Sequence, residues 1–242
     1  MPRIRTLVLA LCFIALLAPT AQADDVVLAS GAGYKKMVNA LNAAYKQQTG
    51  HAVSLIYGNM ARVTTLARES GEVGLVLGDE AFLDKAGLPI EKKLELGRGK
   101  LVLAFAKSSK FSRVEDLDDP QAGRIALPDT KKAIYGKAAR EYLLTSGRLP
   151  GIQPRLVEVA TIPQVFSYLN TNEVDMGFLN LTHALNVQEH IGEFVVIDES
   201  GYSPIRIIVG VLDTCSNRQQ ADEFLSFLQT PEAKAIIKKH GL

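Results

Sequence analysis

The chain lacks tryptophan altogether and has only two cysteines, four histidines and 7% aromatic residues in a length of 242. So few cysteines exclude a disulfide-built scaffold. His51, His183, His190 and His240 are scattered without metal-ligand spacing, so solvated or capping roles are their default. The formal charge is +1 with no basic block, which supplies no electrostatic footprint for nucleic acid. There is no P-loop glycine pattern, no Gly-x-Ser-x-Gly elbow and no His-Glu-x-x-His helix. Gly31-Ala32-Gly33 lacks the third glycine of a dinucleotide fingerprint and reads as a turn. No candidate pair of catalytic groups stands out, so the sequence is not read as an enzyme. What is present is globular: 47% hydrophobic and 22% charged residues, enough for a sizeable core.

The N-terminus has the layout of a secretory signal peptide. Arg3 and Arg5 precede an apolar stretch from Thr6 to Ala18, and Ala21-Gln22-Ala23 forms a small-x-small cleavage site. The stretch is too short for the ~20 residues of a membrane span. Cys12 lies inside it behind Leu11, which argues against a lipoprotein signal. Cleavage after Ala23 predicts an exported protein whose formal charge falls from +1 to −1 with the loss of Arg3 and Arg5. Cys215 is then the only thiol, so no internal disulfide forms and a half-buried structural role is expected.

Along the rest of the chain, strand-like and helix-like segments alternate. Val26 to Ala29 is a short apolar run, and Tyr34, Met37, Val38, Leu41, Ala44 and Tyr45 recur at helical spacing after it. Ala52–Tyr57, a helix over 61–69 and Val73–Leu77 continue the order, which predicts a parallel sheet wrapped by helices. Lys100–Ala106, Arg124–Leu127, Leu156–Val159, Met176–Leu179, Val195–Ile197 and Ile205–Leu212 are the later strands. Two long apolar strands, Lys100 to Lys107 and Ser203 to Leu212, are candidate crossings between two α/β lobes. The predicted division is 24–104 with 204–242 in a discontinuous first lobe and 105–203 in the second, with a cleft between them.

Five loops follow an apolar strand and open a helix: Ser30 to Gly33, Gly58-Asn59, Asp129 to Ala133, Thr161-Ile162 and Asn180-Leu181-Thr182. In open α/β sheets ligands bind at the carboxyl ends of strands, where such loops lie. Helix N-termini present unpaired N–H donors and partial positive charge, which suits an anion without lysine or arginine. Each loop alone reads as a helix cap. Together they predict that Ser30, Asn59, Ala133, Ile162 and Asn180 converge on one cleft. Lys131-Lys132 reads as a solvated turn at least as well as an anion recruiter, and Met37, on the helix stripe, as core.

The chain resembles the periplasmic molybdate-binding proteins of ABC importers, within the type II periplasmic binding proteins. The likeness is carried by Val27-Leu28-Ala29-Ser30, Tyr45 to Gly50, Leu75 to Leu83 and Pro128-Asp129 with Ala133-Ile134-Tyr135-Gly136-Lys137. Further on it includes Asn172 to Phe178 and the ending Phe227 to Ala233 with His240-Gly241-Leu242. The resemblance implies a two-lobed binder, acting as a monomer, that passes a molybdate- or tungstate-type oxyanion to the membrane subunits of an importer and needs no resident cofactor. Such binders hold the ion with two serine hydroxyls, backbone amides and a tyrosine hydroxyl. By correspondence the first serine falls near Gly33, with Ser30 as a substitute, and the second in Asn59-Met60-Ala61. The tyrosine falls on Asn180, and the amides near Ala133 and Ile162.

This chain therefore departs from the implied donor set, and each missing donor to a dehydrated anion costs about 1–3 kcal/mol. Weaker molybdate binding, or preference for another ligand, is the expectation. A larger ligand with an apolar part is one alternative, using Met60 and Tyr34 for contact. A sensing or metal-handling protein with Met60, His183 or Cys215 as ligands is another, and a periplasmic enzyme a third.

Overall fold

The computed structural model describes residues 25–242. The signal-peptide reading of residues 1–23, Cys12 included, lies outside the described residues. The first part of the chain runs β1 (Val27–Gly31), α1 (Lys35–Thr49), β2 (Ser54–Gly58), α2 (Met60–Glu69), β3 (Val73–Asp79), α3 (Glu80–Lys85) and β4 (Ile90–Gly99). It continues through β5 (Leu101–Phe105), β6 (Ile125–Pro128), α4 (Ile134–Thr145), α5 (Leu149–Ile152), β7 (Leu156–Val159), α6 (Ile162–Asn170), β8 (Met176–Asn180), α7 (Leu181–Val187) and β9 (Phe194–Val196). Then β10 (Ile205–Leu212), α8 (Arg218–Leu228) and α9 (Pro231–Lys239) follow.

The strands form two sheets, ordered β2-β1-β3-β10-β4 and β7-β6-β8-β5-β9. In the first, β1 pairs in parallel with β2 and β3, and β10 returns antiparallel to β3 and β4. In the second, β6 pairs in parallel with β7 and β8, and β5 is antiparallel to β8. The sheets are exchanged at two places, Lys100 between β4 and β5, and the stretch between β9 and β10. Leu101 to Ala104, which the sequence division leaves in the first lobe, pair with β8 and β9 and so belong to the second sheet. Strand length alone could not place that crossing, because β4 runs into β5 with only Lys100 between them.

Local chemistry explains the element boundaries. In α1 the predicted stripe of Met37, Val38, Leu41, Ala44 and Tyr45 is buried, and Gly50 ends the helix in the left-handed region at φ 80°. Thr230 caps α9 through the Ala233 N–H, with Pro231 at its first turn. Strands β3, β5, β6 and β8 are buried along their whole length, as strands covered on both faces must be. The one strand the sequence reading missed is β4, which carries Glu91, Lys92, Lys93, Glu95 and Arg98. It lies at the sheet edge, where charge discourages further pairing. Its Lys93 reaches Asp84 at 2.6 Å and Glu80 at 3.2 Å, while Glu95 meets Arg206 at 2.9 Å. Cys215 is free and more buried than expected, packed where a Cβ on Gly74 would lie 2.7 Å from its Sγ. Among the described residues no helix is long and apolar enough to cross a membrane.

Candidate functional site

Because β1, β2 and β3 are parallel, their carboxyl ends share one edge, and the same holds for β6, β7 and β8. The loops leaving these two edges face each other and line a cavity of about 30 Å³, on the scale of a few waters. The first lobe contributes the turn from Gly31 to Tyr34 and the start of α2 at Gly58-Asn59-Met60. The second contributes Ala133-Ile134-Tyr135 at the start of α4 and Thr161-Ile162 at the start of α6. No lining residue carries a formal charge. Three helix N-termini of eight residues or more open onto the cavity, so partial positive charge and first-turn N–H groups are concentrated there.

Of the residues singled out from the sequence, Gly33, Tyr34, Asn59, Met60, Ala133 and Ile162 line this cavity. Asn59 is the N-cap of α2, its carboxamide oxygen accepting the Arg62 N–H at 3.0 Å. That oxygen is occupied by the helix, as the capping reading of the loop predicts. Met60 is almost fully buried, and a Cβ on Gly78 would lie 2.9 Å from its Sδ, so the thioether is core packing as well as wall. Ala133 donates its own N–H to the Asp129 carbonyl at 3.0 Å. The next N–H groups, of Ile134 and Tyr135, begin the helix with no helical carbonyl ahead of them. At α6 Thr161, which lines the cavity, caps no N–H of the helix through its side chain.

Ser30 and Asn180 do not line the cavity but lie behind its wall. Ser30 is fully buried in β1 with its Oγ donating to the Gly31 carbonyl at 3.3 Å. Asn180, also fully buried, donates from Nδ2 to the Gly33 carbonyl at 3.4 Å, and no described protein group bonds its Oδ1. A Cβ on Gly33 would stand 2.8 Å from that Oδ1. The absence of a side chain at Gly33 is thus what lets the Asn180 carboxamide fill the space.

Two lining residues with side-chain hydroxyls, Thr161 and Tyr135, were not singled out as site residues. Thr161 was seen only as part of a loop, and Tyr135 only within the segment Ala133 to Lys137 that carries the resemblance. Tyr135 Oη meets Tyr34 Oη at 2.5 Å across the cavity, joining the two lobes. Both hydroxyls are deeply buried, and desolvation holds their pKa values well above the ordinary tyrosine range, so both keep their protons. One proton lies in the mutual bond, which leaves one hydroxyl proton for a further acceptor. The metal-handling alternative gains no support: among the described residues no group of three His, Cys, Asp or Glu side chains is placed to hold an ion. Cys215 packs against Gly74, and His183 packs edge-on against Phe166, 5.7 Å between ring centres.

The chain is 26% identical over 243 aligned positions to the molybdate-binding protein ModA of Rhodobacter capsulatus, covering 96% of this chain and 93% of that protein. The fold matches the periplasmic molybdate-binding protein of Azotobacter vinelandii with a TM-score of 0.82 at 24% identity, over 90% of this chain and 98% of the other. It also matches the sulfate-binding protein SubI of Mycobacterium tuberculosis, with a TM-score of 0.68 at 16% identity, over 90% and 85% of the two chains. These likenesses are to type II periplasmic binding proteins, two α/β lobes with a discontinuous first lobe, and the strand orders above have that form. A family model for bacterial extracellular solute-binding protein matches residues 26–242, nearly everything the structure describes. The chain therefore belongs to the bacterial extracellular solute-binding proteins, a family of binding proteins and not of enzymes.

Proposed function

We propose that the protein captures a small tetrahedral oxyanion of the molybdate or tungstate kind between its lobes and delivers it to an ABC importer as an exported monomer. The observation that carries this reading is the interlobe cavity of about 30 Å³ bounded by the first turns of α2, α4 and α6, with no charged side chain in its lining. A compact anion suits such a site, because several N–H donors and a helix-end field act on it at once. The relatives named for molybdate add support, and a sulfate binder on the same fold shows why the ion must be tested. Gly33, Tyr34, Asn59, Met60, Ala133 and Ile162 are the proposed lining of the site, with Ser30 and Asn180 supporting it from behind, the donors being the first-turn N–H groups, the Thr161 hydroxyl and the tyrosine pair. The lobe division we propose accordingly is 25–100 with 204–242 against 101–203.

With the Asn59 oxygen occupied as a cap and Ser30 behind the wall, fewer side-chain donors face the ion than two serines and a tyrosine would supply. Each missing donor costs about 1–3 kcal/mol, so molybdate binds more weakly here than in a relative with that set intact. Calorimetric titration with molybdate, tungstate, sulfate and phosphate tests the reading. One site per chain for molybdate or tungstate, tighter than for sulfate or phosphate, is the expected result. Absence of heat with every tetrahedral oxyanion rejects it.

A further inference from the structure

Tyr34 stands in the turn after β1, on the first lobe, and Tyr135 is the second residue of α4, on the other. Their rings are 6.4 Å apart and tilted by 52°, so the contact is made through the hydroxyls and not by stacking. The bond spans the lobes, and any opening of the cavity breaks it. Its surroundings contain a feature that neither tyrosine explains. Gly99 ends β4 immediately before the chain crosses to the second sheet, and it pairs with Ile205 at the start of the returning strand. A Cβ built on Gly99 would collide with the Tyr135 hydroxyl and stand 3.2 Å from the Tyr34 hydroxyl and 2.9 Å from Ile205 Cγ2. Gly99 is not in the left-handed region, so what this position needs is space rather than a glycine conformation.

We infer that Gly99 is the socket of an interlobe latch: the Tyr34 and Tyr135 hydroxyls meet over the cavity only because residue 99 has no side chain, and Tyr135 thereby positions the first turn of α4 against the ligand. The inference rests on the proposal that this cavity holds the ligand. Gly99 touches no ligand; it acts through the tyrosines. The latch also sets ligand size. An ion that holds the lobes further apart than one hydroxyl–hydroxyl bond leaves two buried polar groups unpaired, which penalises bulky ligands more than compact ones. Other bonds also join the lobes, Ala61 N–H to the Lys132 carbonyl at 3.2 Å and Lys36 Nζ to the Asn186 carbonyl at 2.6 Å. The tyrosine pair is the one that closes the cavity wall with side-chain hydroxyls.

Three variants test it: Gly99→Ala, Tyr135→Phe and, as a control, Gly151→Ala, where an added Cβ meets nothing. Small-angle scattering reads lobe closure with and without molybdate. Tyrosine fluorescence, unobscured because the chain has no tryptophan, reads the dissociation rate in stopped flow. Both latch variants should contract less on molybdate addition and release it at least tenfold faster, while Gly151→Ala behaves as wild type. Wild-type contraction and release in both latch variants overturns the latch. If the unmodified protein binds no oxyanion, the proposed function fails separately, and the latch is judged on unliganded scattering. There a larger radius in Tyr135→Phe and Gly99→Ala than in the unmodified protein upholds it, and equal radii overturn it.

Discussion

His183 is the second of the polar groups buried without a partner near the lobe interface. No described protein group bonds its Nε2, and burial, with the Lys36 charge adding to it, pushes its pKa down to about 4. The unfolded chain titrates such a group near pH 6.5. Between those values the unfolded state holds a proton that the folded state does not, so stability falls as the solution is acidified through that window. Above about pH 7.5 the group is neutral in both states and contributes nothing. The full effect is up to about 3 kcal/mol, with His240, lowered by burial in the same direction, adding to it. Urea unfolding at pH 7 and pH 4.5 should show a large acid-side loss that His183→Gln mostly removes; an equal loss in both proteins contradicts the assignment. At this scale the sequence was partly legible. Asn59 announced its capping role because Asn directly before an apolar helical run is a local signal. The inward turn of Ser30 was not legible, since nothing in a strand's sequence says which of its alternate faces meets the loop above.

Element packing turns on glycine at one place where α2 crosses β3. Gly78 lies under Met60, and a methyl group there would stand 2.9 Å from the sulfur, with the terminal methyl carbon of Met60 closer still. Gly78→Ala should destabilise the protein by about 1–3 kcal/mol through overpacking. In a Met60→Ala background the same change should cost far less, because the opposing atoms are gone. Chemical denaturation of the four proteins of that cycle measures the coupling, and strict additivity would show that the two side chains do not oppose each other. Helix α1 was legible because apolar residues recurring at helical spacing are a property of the chain itself. Strand β4 was not, since its charged residues satisfy an edge position that exists only once β10 has returned to the sheet.

Opening the lobes must break the tyrosine pair, the Ala61–Lys132 and Lys36–Asn186 bonds and the Asn180–Gly33 contact. A ligand that binds only the closed, folded form adds stability as RT ln(1 + [L]/Kd), about 2.7 kcal/mol at a hundredfold excess over Kd. For a protein of this length that corresponds to a rise in melting temperature of about 5–10 °C. Scanning calorimetry with molybdate at that excess should show it. The binding should also change little between low and moderate salt, because the lining has no charged side chain to be screened. A shift of less than a degree, or affinity that collapses with salt, would point to an ion held at the surface instead.

By itself the sequence determined what depends on neighbours along the chain: the alternation of strands and helices, the positions where helices begin, and a globular composition. Periodicity, capping and turn chemistry act over a few residues and survive in a linear reading. Only the tertiary structure decided which loops face one another, that Tyr135 meets Tyr34 from 101 residues away, and that Asn180 fills the space left by Gly33. Those contacts depend on the two sheets coming together; the apolar run from Lys100 marked the crossing segment in the sequence, but not the residue at which the sheets are exchanged, because β4 passes into β5 with only Lys100 between them.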